Sequence, residues 1–130
     1  MSKIFVTYSE GEIAMLNLHV GLIAGRHDMP VQSFILNEVE DVLDFDLIRH
    51  EVENWIDSHL TFSRHMGGAA NQADYTDVSV WTSNERLFVY VTGLTSVTAE
   101  LIRVCFNKGV QLTLMHYDRE SGAYKPQVII

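Results

Sequence analysis

The chain has 130 residues and a net charge of −8, with 47% hydrophobic and 20% charged residues. This length predicts one globular domain over residues 1–130, and the acidic balance argues against general nucleic-acid binding, which needs basic surface to neutralise phosphates. No apolar run reaches the ~18 residues that cross a bilayer, and no secretory leader is evident. A single cysteine excludes an internal disulfide and is typical of a reducing cytosol, so we expect a cytoplasmic protein with no membrane partner.

The first predicted elements are a strand and a helix. The segment Lys3–Tyr8 is rich in β-branched and aromatic residues, which favours a strand. Ser9, followed by a glutamate three residues later, matches a capping box and predicts a helix that ends by Gly25. The apolar stripe of this helix, at helical spacing, consists of Ile13, Leu16, Val20 and Ile23. Asn17 and Gly21 interrupt the stripe, so an extended structure remains the alternative.

The middle of the chain predicts a strand, an acidic helix and a loop. The strand is Val31–Leu36, and the helix, Asp44–Leu60, has apolar residues at helical spacing on one side. Ser63–Thr76 contains two adjacent glycines and no periodicity, which is typical of a loop. The segment Glu38–Asp57 holds eight acidic residues against Arg49 alone. It is interpreted either as a solvated face or as a surface for a basic protein partner.

The C-terminal half predicts a strand–helix–strand unit between two hairpins. Asp77–Thr82 alternates in polarity and is expected to turn back into the apolar strand Arg86–Val91. The next helix ends at Gly109 and leads into the strand Gln111–Tyr117. Strand, helix and strand over ~30 residues require a parallel strand pair. A second hairpin is expected through Arg119–Gly122.

Together these elements predict an α/β fold. It would be Rossmann-like, with a mostly parallel sheet, antiparallel edge hairpins and about three helices. The final strand, Ala123–Ile130, contains Pro126 and is therefore expected at an edge of the sheet. Cys105 lies on the apolar side of the helix after Arg86–Val91, where we expect a buried hydrophobic residue rather than a nucleophile.

The predicted binding site is the turn after Arg86–Val91, because parallel sheets bind ligands where their strands end, beside helix N-termini. Backbone N–H groups and hydroxyls for an anion would come from Thr92, Gly93, Thr95 and Ser96. A tight turn with a helix cap at Thr95 or Ser96 explains the same residues. The equivalent first turn would add Ser9 and Gly11. No nucleotide-binding fingerprint of the standard types is present.

No motif indicates catalysis. The densest polar cluster is His116, Asp118 and Arg119, which are candidates for metal-independent phosphodiesterase chemistry, with Arg119 also able to bind phosphate bidentately. A hairpin turn accounts for the cluster equally well. The histidine spacing matches no zinc motif, and we expect neither a metal nor a cofactor. An enzyme is therefore less favoured than a binding protein.

The stretch Val89–Thr95, with the helix after it and the run Val110–Arg119, resembles the C-terminal half of small CRISPR-accessory proteins with Rossmann-like folds. Those proteins are related to sensor domains for cyclic oligoadenylate. The resemblance covers the last third of the chain. It implies a homodimer that holds a cyclic oligonucleotide across its two-fold axis, in antiviral defence or anti-defence. It assigns ligand contacts to Thr92, Gly93, Thr95, Ser96 and Arg119.

These observations predict non-catalytic binding of a small phosphorylated or cyclic-nucleotide ligand by a dimer, for sensing or sequestration. The alternative is an acidic interaction or inhibitor module that uses Glu38–Asp57 against a basic, nucleic-acid-binding protein. A metal-independent phosphodiesterase is the third hypothesis.

Overall fold

The computed structural model describes residues 4–10, 15–67 and 78–130. The elements in chain order are β1 (Phe5–Tyr8), β2 (Leu16–Ile23), β3 (Phe34–Leu36), α1 (Phe45–His59), β4 (Phe62–Gly67), β5 (Val78–Ser83), β6 (Glu85–Tyr90), α2 (Thr95–Lys108), β7 (Gln111–Asp118) and β8 (Ala123–Val128). Neither of the two helices in these ranges has the length and apolarity required to cross a membrane.

Six strands form one mixed sheet of order β1-β2-β6-β7-β8, with β3 also paired to β2. Strands β2, β6 and β7 run parallel, and β3 runs parallel to β2. β1 and β8 are antiparallel to their neighbours. β1 pairs with the first half of β2 and β3 with the second half, so both lie on the same side of β2. Strands β4 and β5 form a separate antiparallel hairpin.

The predicted Rossmann-like fold with about three helices is wrong, because the described residues form two helices and mostly strands. The segment predicted as the first helix contains β2, which is hydrogen-bonded on both sides within the sheet. Alternate residues Leu18, Val20 and Leu22 are buried in the core cluster, whereas Asn17 and His19 project to the opposite face. The stripe at helical spacing was therefore coincidental, and the extended alternative is the correct one.

The hairpin predicted between Asp77–Thr82 and Arg86–Val91 is also wrong. β5 pairs with β4, and only Asn84 separates β5 from β6, which is fewer than the two residues of the tightest common hairpin loop. Instead of turning back on itself, the chain passes from β5 to β6 beside the C-terminal end of α2. There the Ser83 N–H donates a hydrogen bond to the Gly109 carbonyl at 2.9 Å. The predicted loop Ser63–Thr76 begins within β4, and residues 68–77 lie outside the described residues.

The remaining strands and helices are confirmed, although the strand predicted at Val31–Leu36 is the shorter β3. β6, α2 and β7 form the predicted unit with parallel strands, and Gly109 ends α2 with a φ of +78°. The acidic helix is α1, whose first turn is capped by the Asp44 carboxylate, an acceptor for the Leu47 N–H. β8 lies at an edge with Pro126 in it, as predicted. The cap predicted at Thr95 or Ser96 is wrong, because Leu94 occupies that position and no side chain bonds there.

One apolar cluster joins both helices to one face of the sheet. Its helical part is Ile48, Val52 and Ile56 of α1, and Val97, Leu101, Val104 and Cys105 of α2. The sheet contributes the residues that share a face in register, including Leu18, Leu87 and Leu112. In the part of the chain that the structure describes, no helix packs on the opposite face of the sheet. This face adjoins the functional site.

The Cys105 thiol is completely buried, as predicted, and burial raises its pKa to about 12. The thiolate is the reactive form of cysteine. We therefore expect a thiol reagent at pH 8 to label the native protein only as fast as the fold opens, and the urea-unfolded protein at once. Fast labelling of a protein whose circular dichroism is native would contradict this burial.

Candidate functional site

A cleft of about 610 Å³ opens at the carboxyl ends of the parallel strands, and we call it the strand-end cleft. Residues 91–93 follow β6 and form one wall, while the end of β7 and the hairpin after it contribute Tyr117 and Arg119. β2 ends beside β6, so the turn after β2 brings His27 and Asp28 to the same cleft. The parallel arrangement thus gathers segments that are distant in sequence.

The wall after β6 is shaped by a turn, and the start of α2 borders the adjoining pocket. Thr92 Oγ1 accepts a hydrogen bond from the Leu94 N–H at 3.3 Å, which fixes the turn. Gly93 borders open space, since an added Cβ would meet no atom within 4 Å. Because no side chain caps α2, the N–H groups of its first turn keep their capacity to bond an anion.

The opposite wall is aromatic. The rings of Tyr117 and Tyr124 lie on neighbouring strands with centroids 5.4 Å apart. Behind them, the Tyr90 ring meets Tyr124 edge to face at 4.9 Å. Burial raises the pKa of Tyr124, with a smaller contribution from Tyr117, so the Tyr124 phenol stays neutral at physiological pH. A planar aromatic ligand finds stacking surface on this wall.

A partly buried network of side-chain hydrogen bonds supports Tyr90 on the face of the sheet that carries no helix among the described residues. The Tyr90 hydroxyl lies 3.2 Å from Nδ1 of His19, and Nε2 of His19 lies 2.9 Å from the Thr7 hydroxyl. Asn17 donates to Thr7 at 3.2 Å and accepts from Ser9 at 3.0 Å. Burial lowers the pKa of His19, so this ring is neutral at pH 7. This hydrogen-bond network joins three neighbouring strands, β1, β2 and β6.

The polar side chains of the cleft include one permanent cation, Arg119, which is exposed. His116 also lines the cleft, and its Nε2 donates to the Gln127 amide oxygen at 2.7 Å. This bond leaves Nδ1 of His116 as the ring nitrogen that can meet a ligand. Asp28 brings one carboxylate to the cleft, so a ligand meets both signs of charge.

The Asp118 carboxylate does not form an acid–base pair with His116. It accepts hydrogen bonds from the Ser121 hydroxyl at 2.9 Å and the Glu120 N–H at 3.1 Å, and Lys125 lies 3.3 Å away. These bonds, that from Ser121 first, lower the pKa of Asp118. Asp118 therefore stabilises the hairpin turn. In residues 4–10, 15–67 and 78–130, no three His, Cys, Asp or Glu side chains lie together as a metal site would need.

Of the residues predicted for ligand binding, Thr92, Gly93 and Arg119 lie together in the strand-end cleft. Thr95 lines an adjoining pocket of about 300 Å³ that shares Thr92 and Gly93. Ser96 instead donates its hydroxyl to the Val42 carbonyl at 2.7 Å.

The predicted first-turn residues are not part of this assembly. Ser9 lies at the opposite end of the sheet, where its N–H bonds the carbonyl of Met15 just before β2 begins. Gly11 lies outside the described residues.

Sequence reasoning missed His27, Asp28 and Tyr124. The first two follow β2. Because that segment was predicted to be a helix, its end was not expected beside the end of β6, where the cleft lies. Tyr124 pairs directly with Tyr117 across the final hairpin. The predicted hairpin register would have placed these two aromatic residues side by side.

Fold and cleft together define a mixed-sheet domain, with two helices in its described residues and a ligand-sized cleft at its strand ends. Comparison with protein-family models, with curated proteins and with solved structures found no match. The resemblance to CRISPR-accessory proteins therefore stays a prediction.

Proposed function

We propose that this protein binds, without transforming it, a small phosphorylated ligand that carries an aromatic ring, a ligand of the nucleotide class. The observation that carries the proposal is the composition of the strand-end cleft. One cation, Arg119, and a tyrosine wall border a volume of about 610 Å³, and the N-terminus of α2 borders the adjoining pocket that shares Thr92 and Gly93 with it. That volume is within the range of small-ligand sites.

Each part of such a ligand has a counterpart in the cleft. The Arg119 guanidinium suits a phosphate because its fork of N–H donors matches two phosphate oxygens. In the adjoining pocket beyond Gly93, the start of α2 offers backbone N–H groups and the positive end of the helix dipole to a phosphate. Tyr117 and Tyr124 offer ring faces to a base.

Binding is favoured over catalysis because the two candidates for acid–base chemistry, His116 and Asp118, do not pair with each other among the described residues. His116 bonds Gln127, and Asp118 is engaged by the hairpin turn. A phosphodiesterase would need one of these groups to reach a nucleophile or a leaving oxygen. Nothing in the contacts of the described residues supplies that geometry.

A dimer forms the second part of the proposal. The family resemblance implies a cyclic oligonucleotide across a two-fold axis, and a cleft of about 610 Å³ suits one nucleotide-sized unit rather than a whole ring. A ring of several nucleotides would therefore span one cleft from each of two copies. Titration of cyclic oligoadenylate, followed by light scattering, is expected to give one ring per two chains.

Arg119→Gln is expected to weaken binding of adenosine monophosphate by roughly 30-fold, the equivalent of about 2 kcal/mol for a lost charge-assisted bond. Its melting temperature should not change, because Arg119 is exposed at a turn. Arg103→Gln is the matched control, since Arg103 is exposed on α2 and does not line the cleft. Isothermal titration calorimetry of both variants measures the difference.

Two results, one from this titration and one from a melting-temperature screen, would reject the proposal. One is an equal loss of affinity in Arg119→Gln and Arg103→Gln, which would indicate general electrostatic attraction. The other is a panel of mononucleotides, cyclic dinucleotides and cyclic oligoadenylates, none of which raises the melting temperature of the protein, since a ligand of the native state must stabilise it.

A further inference from the structure

A second groove, of about 360 Å³, lies between the segment before α1 and the first turns of that helix. We call it the α1 groove. Its apolar lining is Val39, Leu47 and Ile48, and its polar lining is Glu38, Glu40, Asp41, Asp44 and Glu51. It shares no residue with the strand-end cleft, so an occupant of one need not displace an occupant of the other.

Large apolar side chains are exposed in and beside this groove. Leu47 is 51% exposed within it, while Leu43 and Phe45, which flank Asp44 in the chain, are 69% and 46% exposed. The surrounding backbone is fixed, because Asp41 accepts from the Leu43 N–H at 2.9 Å and Asp44 from the Leu47 N–H. Exposed apolar groups held in a polar rim are typical of interaction surfaces.

The charge of the groove restricts what can bind there. Five carboxylates line it, and no basic side chain of the described residues does. The nearest arginine in the chain, Arg49, is paired with Asp46 and lies 3.7 Å from Glu100, neither of which lines the groove. The partner must therefore supply the compensating cations as well as an apolar surface.

We infer that the α1 groove docks a basic amphipathic segment of a partner protein. Apolar side chains of that segment pack on Leu43, Phe45 and Leu47, and its Lys and Arg side chains meet the surrounding carboxylates. Other occupants fit less well. Nucleic acid is repelled by the carboxylates, and a polyamine has no side chains to cover the exposed Leu and Phe. Over the described ranges, no three of these carboxylates form a group that could hold a metal ion.

The probe is a fluorescent peptide with leucine and lysine at amphipathic helical spacing, and its charge-inverted control has glutamate for lysine. Fluorescence anisotropy is expected to detect the basic peptide only, with affinity that falls as salt rises. The groove variant replaces Glu38, Glu40 and Glu51 by glutamine and leaves intact Asp44, which caps α1, and Asp41, which bonds the Leu43 N–H. Its matched control replaces Glu10, Glu53 and Glu120, which lie outside the groove, for the same change in net charge.

We expect the groove variant to bind the basic peptide about tenfold more weakly, and the control variant within about twofold of the unmodified protein. Leu43→Gln with Leu47→Gln should also weaken binding about tenfold, because the apolar contact is lost. Peptide-induced amide shifts in nuclear magnetic resonance spectra should centre on Leu47, Ile48 and Glu51.

Several results would overturn the inference. They are equal losses in the groove and control variants, binding of the glutamate peptide, amide shifts centred elsewhere, or no binding of the basic peptide. Docking of a second copy of this chain would appear instead as a concentration-dependent mass in light scattering that the Leu43→Gln and Leu47→Gln changes abolish. These outcomes are independent of nucleotide binding, which the same variants should retain.

Discussion

Gly109→Ala is expected to destabilise the protein by roughly 3 kcal/mol, the largest effect we foresee for a single added methyl group. Gly109 ends α2 with a φ of +78°, where an L side chain is strained by about 1–2 kcal/mol. In addition, its Cβ would lie 2.0 Å from the Trp81 carbonyl oxygen and 3.0 Å from the Trp81 carbonyl carbon. Both atoms belong to the backbone of β5, which cannot rotate out of the way.

Gly122→Ala is the matched control for this experiment. Gly122 also has a positive φ, +68°, but its Cβ would meet no atom within 4 Å. Only the conformational penalty of about 1 kcal/mol applies there. The difference between the two variants in urea unfolding therefore measures the contact between β5 and the end of α2. Equal destabilisation would mean that this contact is absent or yields freely.

The contact matters because it attaches the β4–β5 hairpin to the rest of the fold. The Ser83 N–H donates to the Gly109 carbonyl, and the Ser83 hydroxyl accepts from the Gln111 N–H at 3.0 Å. A side chain at position 109 would force these bonds to lengthen. Trp81, which is 54% exposed on β5, is a fluorescent reporter in the same experiment, and its emission should change along with the unfolding curve.

The parts of the fold that the sequence predicted correctly are those specified by local signals. α1 has an N-cap at Asp44 and a clear apolar stripe, and the unit from β6 to β7 has a glycine at the helix end. Such signals depend on residues within a few positions of one another. Tertiary contacts did not override them.

β2 was mispredicted because two periodicities coexist in its sequence. Leu16, Leu18, Val20 and Leu22 alternate with polar or small residues, which is a strand pattern, yet the helical stripe uses two of the same residues. The choice between them is decided by hydrogen bonding along both edges of β2, to β1 and β3 on one side and to β6 on the other. Of these partners only β6 is distant in sequence, so its pairing with β2 could not be found from local signals.

Only part of the site was predicted, because some of its residues belong to one local motif and others are brought in by a distant strand. Thr92, Gly93 and Arg119 belong to the unit from β6 to the final hairpin, so their proximity follows from one supersecondary motif. His27 and Asp28 reach the cleft only because β2 is a strand beside β6. The groove at α1 combines a predicted acidic segment with exposed Leu43 and Phe45, whose exposure depends on tertiary packing.

His19→Ala is expected to destabilise the protein by about 2–3 kcal/mol, the second large effect. The His19 ring stacks on Phe88 with centroids 4.7 Å apart and is 8% exposed. Alanine would leave the Tyr90 hydroxyl and the Thr7 hydroxyl without this partner and would open a cavity between β1 and β6. His50→Ala, at an exposed position on α1, is the control and should change stability little.

The same histidine predicts a pH dependence whose sign follows from its lowered pKa. Burial favours the neutral ring, so the unfolded chain, with a histidine pKa near 6.5, binds the proton more readily than the native protein. The stabilisation from His19 is therefore complete above about pH 6.5 and declines as the pH falls through and below that value. Among the described residues, the ring contacts Phe5, Thr7, Phe88 and Tyr90, none of which carries a carboxylate that would hold its charged form. Urea unfolding at pH 7.5 and 5.5 should show a smaller loss of stability in His19→Gln than in the unmodified protein, and an equal loss in both would assign the pH dependence to other groups.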